Sequence, residues 1–529
     1  MRKFVRSLSV VSVLFVAAAI PSPAIAERAP GDGPDSRVAA PAVVHGRVAA
    51  GSTDYPTSFE VFARRGRPAV GAASTVARAG GPRAPQATLG FDALSDPFAF
   101  PADTTGALGD TYFVTAVNTQ LAVYDRTGAV VVAPMQLDVL HPDSAGRFAF
   151  DPKVVYDQYN DTFVLAYLVQ EDAPKLSRII VVAIPNTTAA TTSTWCATSF
   201  PGDALPASPN VWADYPGLGY NLDRVTITTN QFTFPSSAGR FRYAQVMSIP
   251  KTSLYDCTTP PPVPDVFAGT QTEDPDGIQS TTLQPAQTVD LPAASQLLTS
   301  VQLAGKKSYL VLWRIKSTSS GLKLKKGALP IGKTFAPPFG TQGGGALDDI
   351  DTFWDAGDER LVNAFYDADA NQLFTAHAVF KDLTPDTVTG AYPESAVRWY
   401  EVNPAGKLKN SSLARKGTIG APEVDTGWPT VATDGSGNLF VTYNRGSAVT
   451  GEFLSAWVAE ILPGGTAATQ VLLKAGLATY EANPGGPERW GDFTGINRDP
   501  VNPAVVATFN QYALDLDSWQ QFVNLVQHV

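Results

Sequence analysis

The sequence predicts an all-β chain assembled from repeated four-stranded units, and three observations predict it. Helix signals are poor: 42 Pro and 44 Gly are scattered through 529 residues, and sustained i, i+3, i+4, i+7 apolar spacing is hard to find. Short runs rich in Val, Thr, Tyr and Phe lie instead between turn residues, the signature of strands. Finally, one arrangement recurs along the chain. An acidic residue or glycine leads a short apolar-containing run, a second Asp or Asn follows six or seven positions on, and a polar turn opens a second β run.

The chain starts with MRKFVR, an apolar stretch from Val10 to Ile20 and a segment closing on Ala24-Ile25-Ala26, the pattern of a cleaved secretory signal. Cleavage is expected near Ala26, before Glu27. A membrane-spanning helix needs roughly 20 apolar residues, and no segment is that long, so the expectation is an exported protein, extracellular or periplasmic, with no membrane span. Loss of Arg2, Lys3 and Arg6 moves the formal charge from −10 to −13. An acidic surface repels phosphate backbones, which argues against nucleic acid as a partner. Residues 27–85, rich in Ala, Gly, Pro and Arg, read as a linker or poorly ordered extension, and 86–529 as one domain. The two cysteines, Cys196 and Cys257, are expected to close a disulfide in an oxidising compartment.

The repeat runs in order through DTTGALGDTYFVTAVN (103–118), DPKVVYDQYNDTFVLAY (151–167), DYPGLGYNLDRVTITTN (214–230), DIDTFWDAGDERLVNAFYD (349–367), GWPTVATDGSGNLFVTYN (427–444) and RWGDFTGINRDPVNPAVVATFNQY (489–512). Asp, Asn and Gly supply the hairpin turn because they tolerate left-handed backbone angles or bond their own main chain. Further β runs such as RIIVVAIP (178–185), RYAQVMSIP (242–250), AVRWYEV (396–402) and LSAWVAEIL (454–462) make each unit four-stranded. Most steps between leading positions are 48 to 78 residues, but Asp214 to Asp349 is 135. That leaves room for one more unit, for which Leu283 to Lys316 is the eroded candidate, and the total is seven.

Four-stranded sheets that cannot bury both faces alone must lean on copies of themselves, and radial stacking gives a β-propeller. Seven blades are expected, with six or eight as neighbouring counts and a linear array of sandwich domains as the competing arrangement. The last copy has too little chain after Tyr512 for two more strands. Ser518 to Val526 supplies one, and an N-terminal segment around Ala87 to Phe91 is expected to complete the last blade and close the ring.

In such an arrangement the leading acids Asp103, Asp151, Asp214, Asp349 and Asp492, with the amides Asn118, Asn230, Asn444 and Asn510, should ring one mouth of the central channel. Converging carboxylates raise each other's pKa unless a cation offsets them, and an oxygen-only ligand set suits calcium. The same acids could equally cap turns or bond a neighbouring blade's main chain. Trp212, Trp428, Arg489 and Trp490 lie in the same stretches, either to stack on a ligand or to fill the wedge between blades. DADAN (367–371) and DGSGN (434–438) read as plain hairpin turns, and the lysine run 321–327 as a solvated hairpin tip. Four histidines make a multi-histidine zinc site or a His-dependent triad improbable, and no HExxH, GxSxG or phosphate-loop spacing occurs.

The segments ADTTGALGDTYFVTAVNTQLAVYD, DPKVVYDQYNDTFVLAY, DYPGLGYNLDRVTITTNQF, AVRWYEV and RWGDFTGINRDP resemble a family of exported bacterial β-propeller proteins, sialidase-like in architecture. The resemblance covers most of the chain after residue 85 and implies fold and export but no established reaction. The S-x-D-x-G-x-T-W box of sialidases is lacking. Two functions stay open: an exported binding or scaffold protein recognising a glycan or an extracellular protein at the acidic mouth, or a carbohydrate-active hydrolase or lyase using paired carboxylates there.

Overall fold

Strands dominate the computed structural model, which describes residues 44–47 and 84–529 except 98, 204–209, 305–306, 348, 385–392 and 484–485. The expected signal segment, and all of the 27–85 tract except residues 44–47 and 84–85, lie outside the described residues. Among the described residues the strands form three four-stranded sheets, one five-stranded sheet and one twelve-stranded sheet, and four-stranded antiparallel groups, called units below, recur along the chain. Unit 1 comprises Thr105–Leu108, Tyr112–Val117, Gln120–Asp125 and Val130–Gln136. Unit 2 comprises Phe148–Asp157, Thr162–Glu171, Leu176–Pro185 and Cys196–Pro201, with Val44–Arg47 pairing antiparallel to the outermost of these. Unit 3 holds Val211–Tyr220, Arg224–Thr233, Phe241–Pro250 and Asp265–Phe267. Unit 4 holds Gln284–Val289, Gln296–Ala304, Lys307–Thr318 and Gly321–Gly332, so the eroded stretch carries a full set of four strands.

Unit 5 is Ala364–Asp367, Gln372–Lys381, Glu394–Asn403 and Ser412–Ile419. Unit 6 is Asp425–Thr433, Leu439–Ser447, Glu452–Ile461 and Ala468–Lys474. Unit 7 is Gly495–Arg498, Val505–Asp515 and Ser518–Gln527, and its fourth strand is the N-terminal Gln86–Asp92, antiparallel to Ser518–Gln527. The lysine run is not a hairpin tip: Gly321 turns the chain and Lys323, Lys325 and Lys326 lie on the outer strand of unit 4. Charge there blunts an exposed sheet edge.

The first strand of each unit meets the first strand of the next. The Val154 N–H donates to Thr105 Oγ1 at 3.1 Å, and the Tyr215 N–H to Asp151 Oδ2 at 3.1 Å. Tyr220 pairs in parallel with Gln287, and Ala286–Val289 runs parallel to Ala364–Asp367. Asn363 bonds both the carbonyl and the N–H of Val431 at 2.9 and 3.0 Å, while Thr494 Oγ1 donates to the Trp428 carbonyl at 2.8 Å. Asn497 of unit 7 bonds the N–H and carbonyl of Leu108 of unit 1, both at 2.9 Å.

Covered on both faces, these inner strands are almost wholly buried and read as continuous apolar or small runs rather than alternating ones. The core is correspondingly divided among units. One cluster joins Leu121 and Val123 of unit 1 to Val154 and Phe163 of unit 2, another joins Val155 and Val181 of unit 2 to Ile227 and Met247 of unit 3, and a third joins Leu108 and Phe113 of unit 1 to Phe509 and Trp519 of unit 7. The predicted disulfide is present, Cys196 to Cys257 with Cα atoms 5.6 Å apart, and staples the outer strand of unit 2 to the loop after the third strand of unit 3.

Candidate functional site

Local chemistry explains how the inner strands aim their residues. Units 2, 3 and 6 carry Asp151-Pro152, Tyr215-Pro216 and Trp428-Pro429 near the middle of the inner strand. Proline has no N–H for the ladder, and at these points the pairing slips, between Phe150 and Lys153, Asp214 and Gly217, and Gly427 and Thr430. A bulge of this kind redirects the side chain beside it. Asp151, Tyr215 and Trp428 take φ values of 52°, 50° and 52°, and Asp103, Thr282 and Glu359 hold φ of 49°, 48° and 73° in three other units. A left-handed conformation at a non-glycine residue costs free energy and persists where surrounding bonds demand it.

Those bonds come from several predicted residues. Asp103 Oδ1 accepts the Asp492 N–H at 2.9 Å, and its Oδ2 accepts from Asn118 Nδ2. The Oδ1 of Asn118 in turn accepts the Asp151 N–H at 2.8 Å. Asn230 does the same for Thr282, accepting its N–H at 2.8 Å and donating to its Oγ1 at 2.9 Å. Asn444 and Asn510 bond each other at 2.8 Å and lock unit 6 to unit 7, fully buried and apart from the acids.

The structure brings Asp103, Asp151, Asp214 and Asp492 together with Arg489. Asp349 is not brought there. It sits exposed in a short turn, its Oδ1 accepting the Asp351 N–H at 3.2 Å, because the strand it was expected to lead starts fifteen residues later, at Ala364. Asp355 joins the cluster instead, half-buried, with its Oδ1 accepting the Gly357 N–H at 2.9 Å. Two cations also belong to the cluster. Lys153 is buried, with Nζ 3.3 Å above the Phe493 ring, and the Arg360 guanidinium lies 4.3 Å above the Tyr215 ring. Tyr215 and Phe493 pack with centroids 4.8 Å apart, so an aromatic floor lies beneath the charges. Sequence signals for both cations exist. Lys153 is two residues after Asp151, across the proline that breaks the strand ladder. Arg360 precedes Asp367 by seven, the spacing of Asp103 from Asp110 and Asp492 from Asp499.

Burial, more than mutual repulsion, sets the electrostatics. It pushes the Asp103 carboxyl up to about 8, with the Asp492 charge adding to it, and raises Asp151 well above the carboxylate range, with Asp103 and Asp214 adding. Asp214 and Asp355 rise to about 6 by burial and the nearby Asp492. Burial lowers the Lys153 ammonium to about 7 against the pull of Asp151 and Asp103. Asp492 pairs with Arg489 at 3.2 Å, the arginine side chain half exposed. Among the described residues no group of three or more His, Cys, Asp and Glu side chains has the geometry to hold a metal ion. The calcium expectation therefore has no ligand set there, since Lys153, Arg360 and Arg489 supply the positive charge.

Beside Lys153 lies a small cavity of about 20 Å³, room for little more than a water molecule, whose lining includes Thr105, Lys153, Leu218, Gln284, Asn363, Thr430 and Thr494. At the far ends of the same strands Arg498 links three units, bonding Asp290 at 2.6 Å, Asp367 at 3.1 Å and the Thr433 carbonyl at 2.8 Å. Nearby, Lys251 pairs with the buried Asp157 at 2.7 Å. The second acids of the repeat cap their hairpin turns: Asp367 Oδ1 accepts the Ala370 N–H, and Asp434 Oδ1 those of Ser436 and Asn438, each at 2.9 Å.

The tryptophans divide. Trp428 is buried with Nε1 donating to the Asp355 carbonyl at 2.7 Å, and Trp490 is buried edge-on against Tyr480; both fill the core beside the cluster. Trp212 is half-buried and shares a strand face with Asp214, as their matching exposure and the buried Val211 and Ala213 show.

No protein-family model matches the chain, and no curated protein sequence matches it. Solved structures that match include Trypanosoma rangeli sialidase in complex with the inhibitor DANA, at 8% identity and TM-score 0.36 over 82% of this chain and 60% of that one. The Penicillium chrysogenum alpha-L-arabinanase complexed with arabinobiose matches at 11% identity and TM-score 0.32, over 60% of this chain and 93% of the other. A chain of the mitotic checkpoint complex matches at 10% identity and TM-score 0.37, over 89% and 99%. The match spans well under two thirds of the sialidase, and likeness at this level assigns no activity.

Proposed function

We propose that this chain is an exported seven-bladed β-propeller, closed by Gln86–Asp92, that binds a polar, hydroxyl-rich ligand at the mouth where Asp103, Asp151, Asp214, Asp355 and Asp492 gather. The succession of inner-strand contacts, the seventh returning to the first, supports the ring. One observation carries the binding reading. Lys153 lines the cavity and is more than nine-tenths buried, yet none of its described contacts is a hydrogen bond or ion pair, and the charges acting on it are those of Asp151, Asp103 and half-buried Asp492. A largely desolvated ammonium gains from an acceptor, and a ligand oxygen would supply one. Asp103 and Asp151 serve below as locks between units, because their carboxylates hold neighbouring main-chain N–H groups.

Donors and acceptors intermixed on one small surface suit a glycan or a polar segment of an extracellular protein better than a polyanion. Calorimetric titration of the purified protein against a glycan panel tests this. Asp214→Asn and Lys153→Met should each weaken binding tenfold or more, and an unaffected affinity would remove the site from the mouth.

A hydrolase or lyase is the second reading, favoured by one feature. Burial and Asp492 raise Asp214 to about 6, whereas Asp492 is held by Arg489, and two carboxyls in unlike environments are the arrangement an acid and a base or nucleophile require. Product release from the same panel, abolished by Asp214→Asn and by Asp492→Asn, would establish it. Binding without turnover would exclude it for those glycans.

A further inference from the structure

Beside the mouth, five aromatic rings form a continuous row across units 2 and 3. Phe148 stacks on Phe150 at 5.1 Å with planes 12° apart. Phe150 lies 6.4 Å from Trp212, Trp212 is 5.6 Å from Phe232, and Phe232 is 5.9 Å from Phe241. The last three are a cross-strand ladder: Trp212 is paired directly opposite Phe232, and Phe232 opposite Phe241. Aromatic neighbours across strands stabilise a sheet, but core packing does not explain the outer end. Phe148 is 61% exposed, and Trp212, Phe232 and Phe241 are half-buried. Leaving such area in water forgoes the favourable burial these side chains normally supply.

The row is continuous with the mouth. Phe150 adjoins Asp151, and Trp212 shares its strand face with Asp214. The indole is held in place, with Nε1 donating to the Thr233 carbonyl at 3.2 Å. We propose that this ledge extends the mouth into an elongated site for a linear neutral polysaccharide, one sugar in the charged pocket and successive sugars stacked on the accessible rings of Trp212 and Phe148, which the buried Phe150 holds from behind. A pyranose offers a flat C–H face and an edge of hydroxyls, which matches a shelf of rings that ends at the half-buried Asp214 carboxylate. The acidic net charge of the chain disfavours a polyanionic polymer. This inference rests on the binding reading of the mouth and names its ligand class.

The test is titration calorimetry of the full chain with cellohexaose, xylohexaose, laminarihexaose and chitohexaose, each beside its disaccharide. At least one hexasaccharide should bind more tightly than its disaccharide. Phe148→Ala, whose ring is mostly in water and whose loss leaves the core intact, should weaken the hexasaccharide about 5-fold, the value of one aromatic contact, and leave the disaccharide unchanged. Trp212→Leu should act in the same sense and more strongly, whereas Asp214→Asn should weaken both lengths. Equal affinity for the two lengths, or no effect of Phe148→Ala and Trp212→Leu on a hexasaccharide that Asp214→Asn does weaken, overturns the ledge and leaves the mouth standing. No binding of any sugar of either length overturns both.

Discussion

His377 ties the pH dependence of stability to one buried ring. It is fully buried in the second strand of unit 5, with Nδ1 2.6 Å from the Glu359 carbonyl oxygen and Nε2 3.0 Å from the Tyr400 hydroxyl. A carbonyl only accepts, so Nδ1 carries the proton and Nε2 accepts from Tyr400; the ring is satisfied while neutral. Burial, with the Arg398 charge adding to it, lowers its pKa from 6.5 to about 4. The unfolded chain therefore binds more protons than the folded one between these values. The stability associated with the neutral ring is present above pH 6.5 and lost as the pH falls towards 4. At 1.36 kcal/mol per unit, the loss is about 3 kcal/mol. Glu359, raised to about 7 by burial and then by Asp358, titrates in the opposite sense, so the comparison must be with a variant that keeps it. His377→Gln, urea-denatured at pH 4.0, 4.5, 5.5, 6.5 and 7.5, should be less stable than the wild type at pH 7.5 and lose less on acidification, the gap narrowing by about 3 kcal/mol between pH 7.5 and 4. A gap constant across that range would refute a neutral, desolvated imidazole at this position.

Three further perturbations probe the frame around the site. Reducing the Cys196–Cys257 bond, which spans 61 residues, or replacing both cysteines by alanine, should cost about 4 kcal/mol in the chain-entropy account, measured as a lowered denaturation midpoint. Arg498→Met strips the counter-charge from Asp290 and Asp367 and should destabilise by about 3 to 5 kcal/mol, with Asp367→Asn in the same chain restoring part of it in thermal melts. Gly427→Ala drives a Cβ to 2.4 Å from the Ala356 carbonyl oxygen; rigid main chain cannot yield as a side chain would, and a loss of about 3 kcal/mol is expected, read from the same melts.

The sequence by itself determined what depends on near neighbours along the chain. Alternation, turn residues and a seven-residue spacing sufficed for the all-β class, the four-stranded units and the Asx-capped hairpins at Asp367 and Asp434, since each is decided within one hairpin. The segment expected around Ala87 to Phe91 lies within a strand, Gln86–Asp92, that pairs with Ser518–Gln527. Asp349 shows the limit of that reasoning. Its spacing to an acid resembled the repeat, but the hairpin belongs to Asp367, and only the strand pairing of Ala364–Asp367 with Gln372–Lys381 identifies which acid turns the chain. The tertiary structure alone decided the company each charge keeps. Lys153 over Phe493, Arg360 over Tyr215 and Asp103 on the Asp492 N–H join residues up to 389 positions apart. Such meetings are fixed by how units lean on one another to bury their faces, which no local pattern encodes, and they convert a predicted ring of acids into a mixed cluster that carries its own cations.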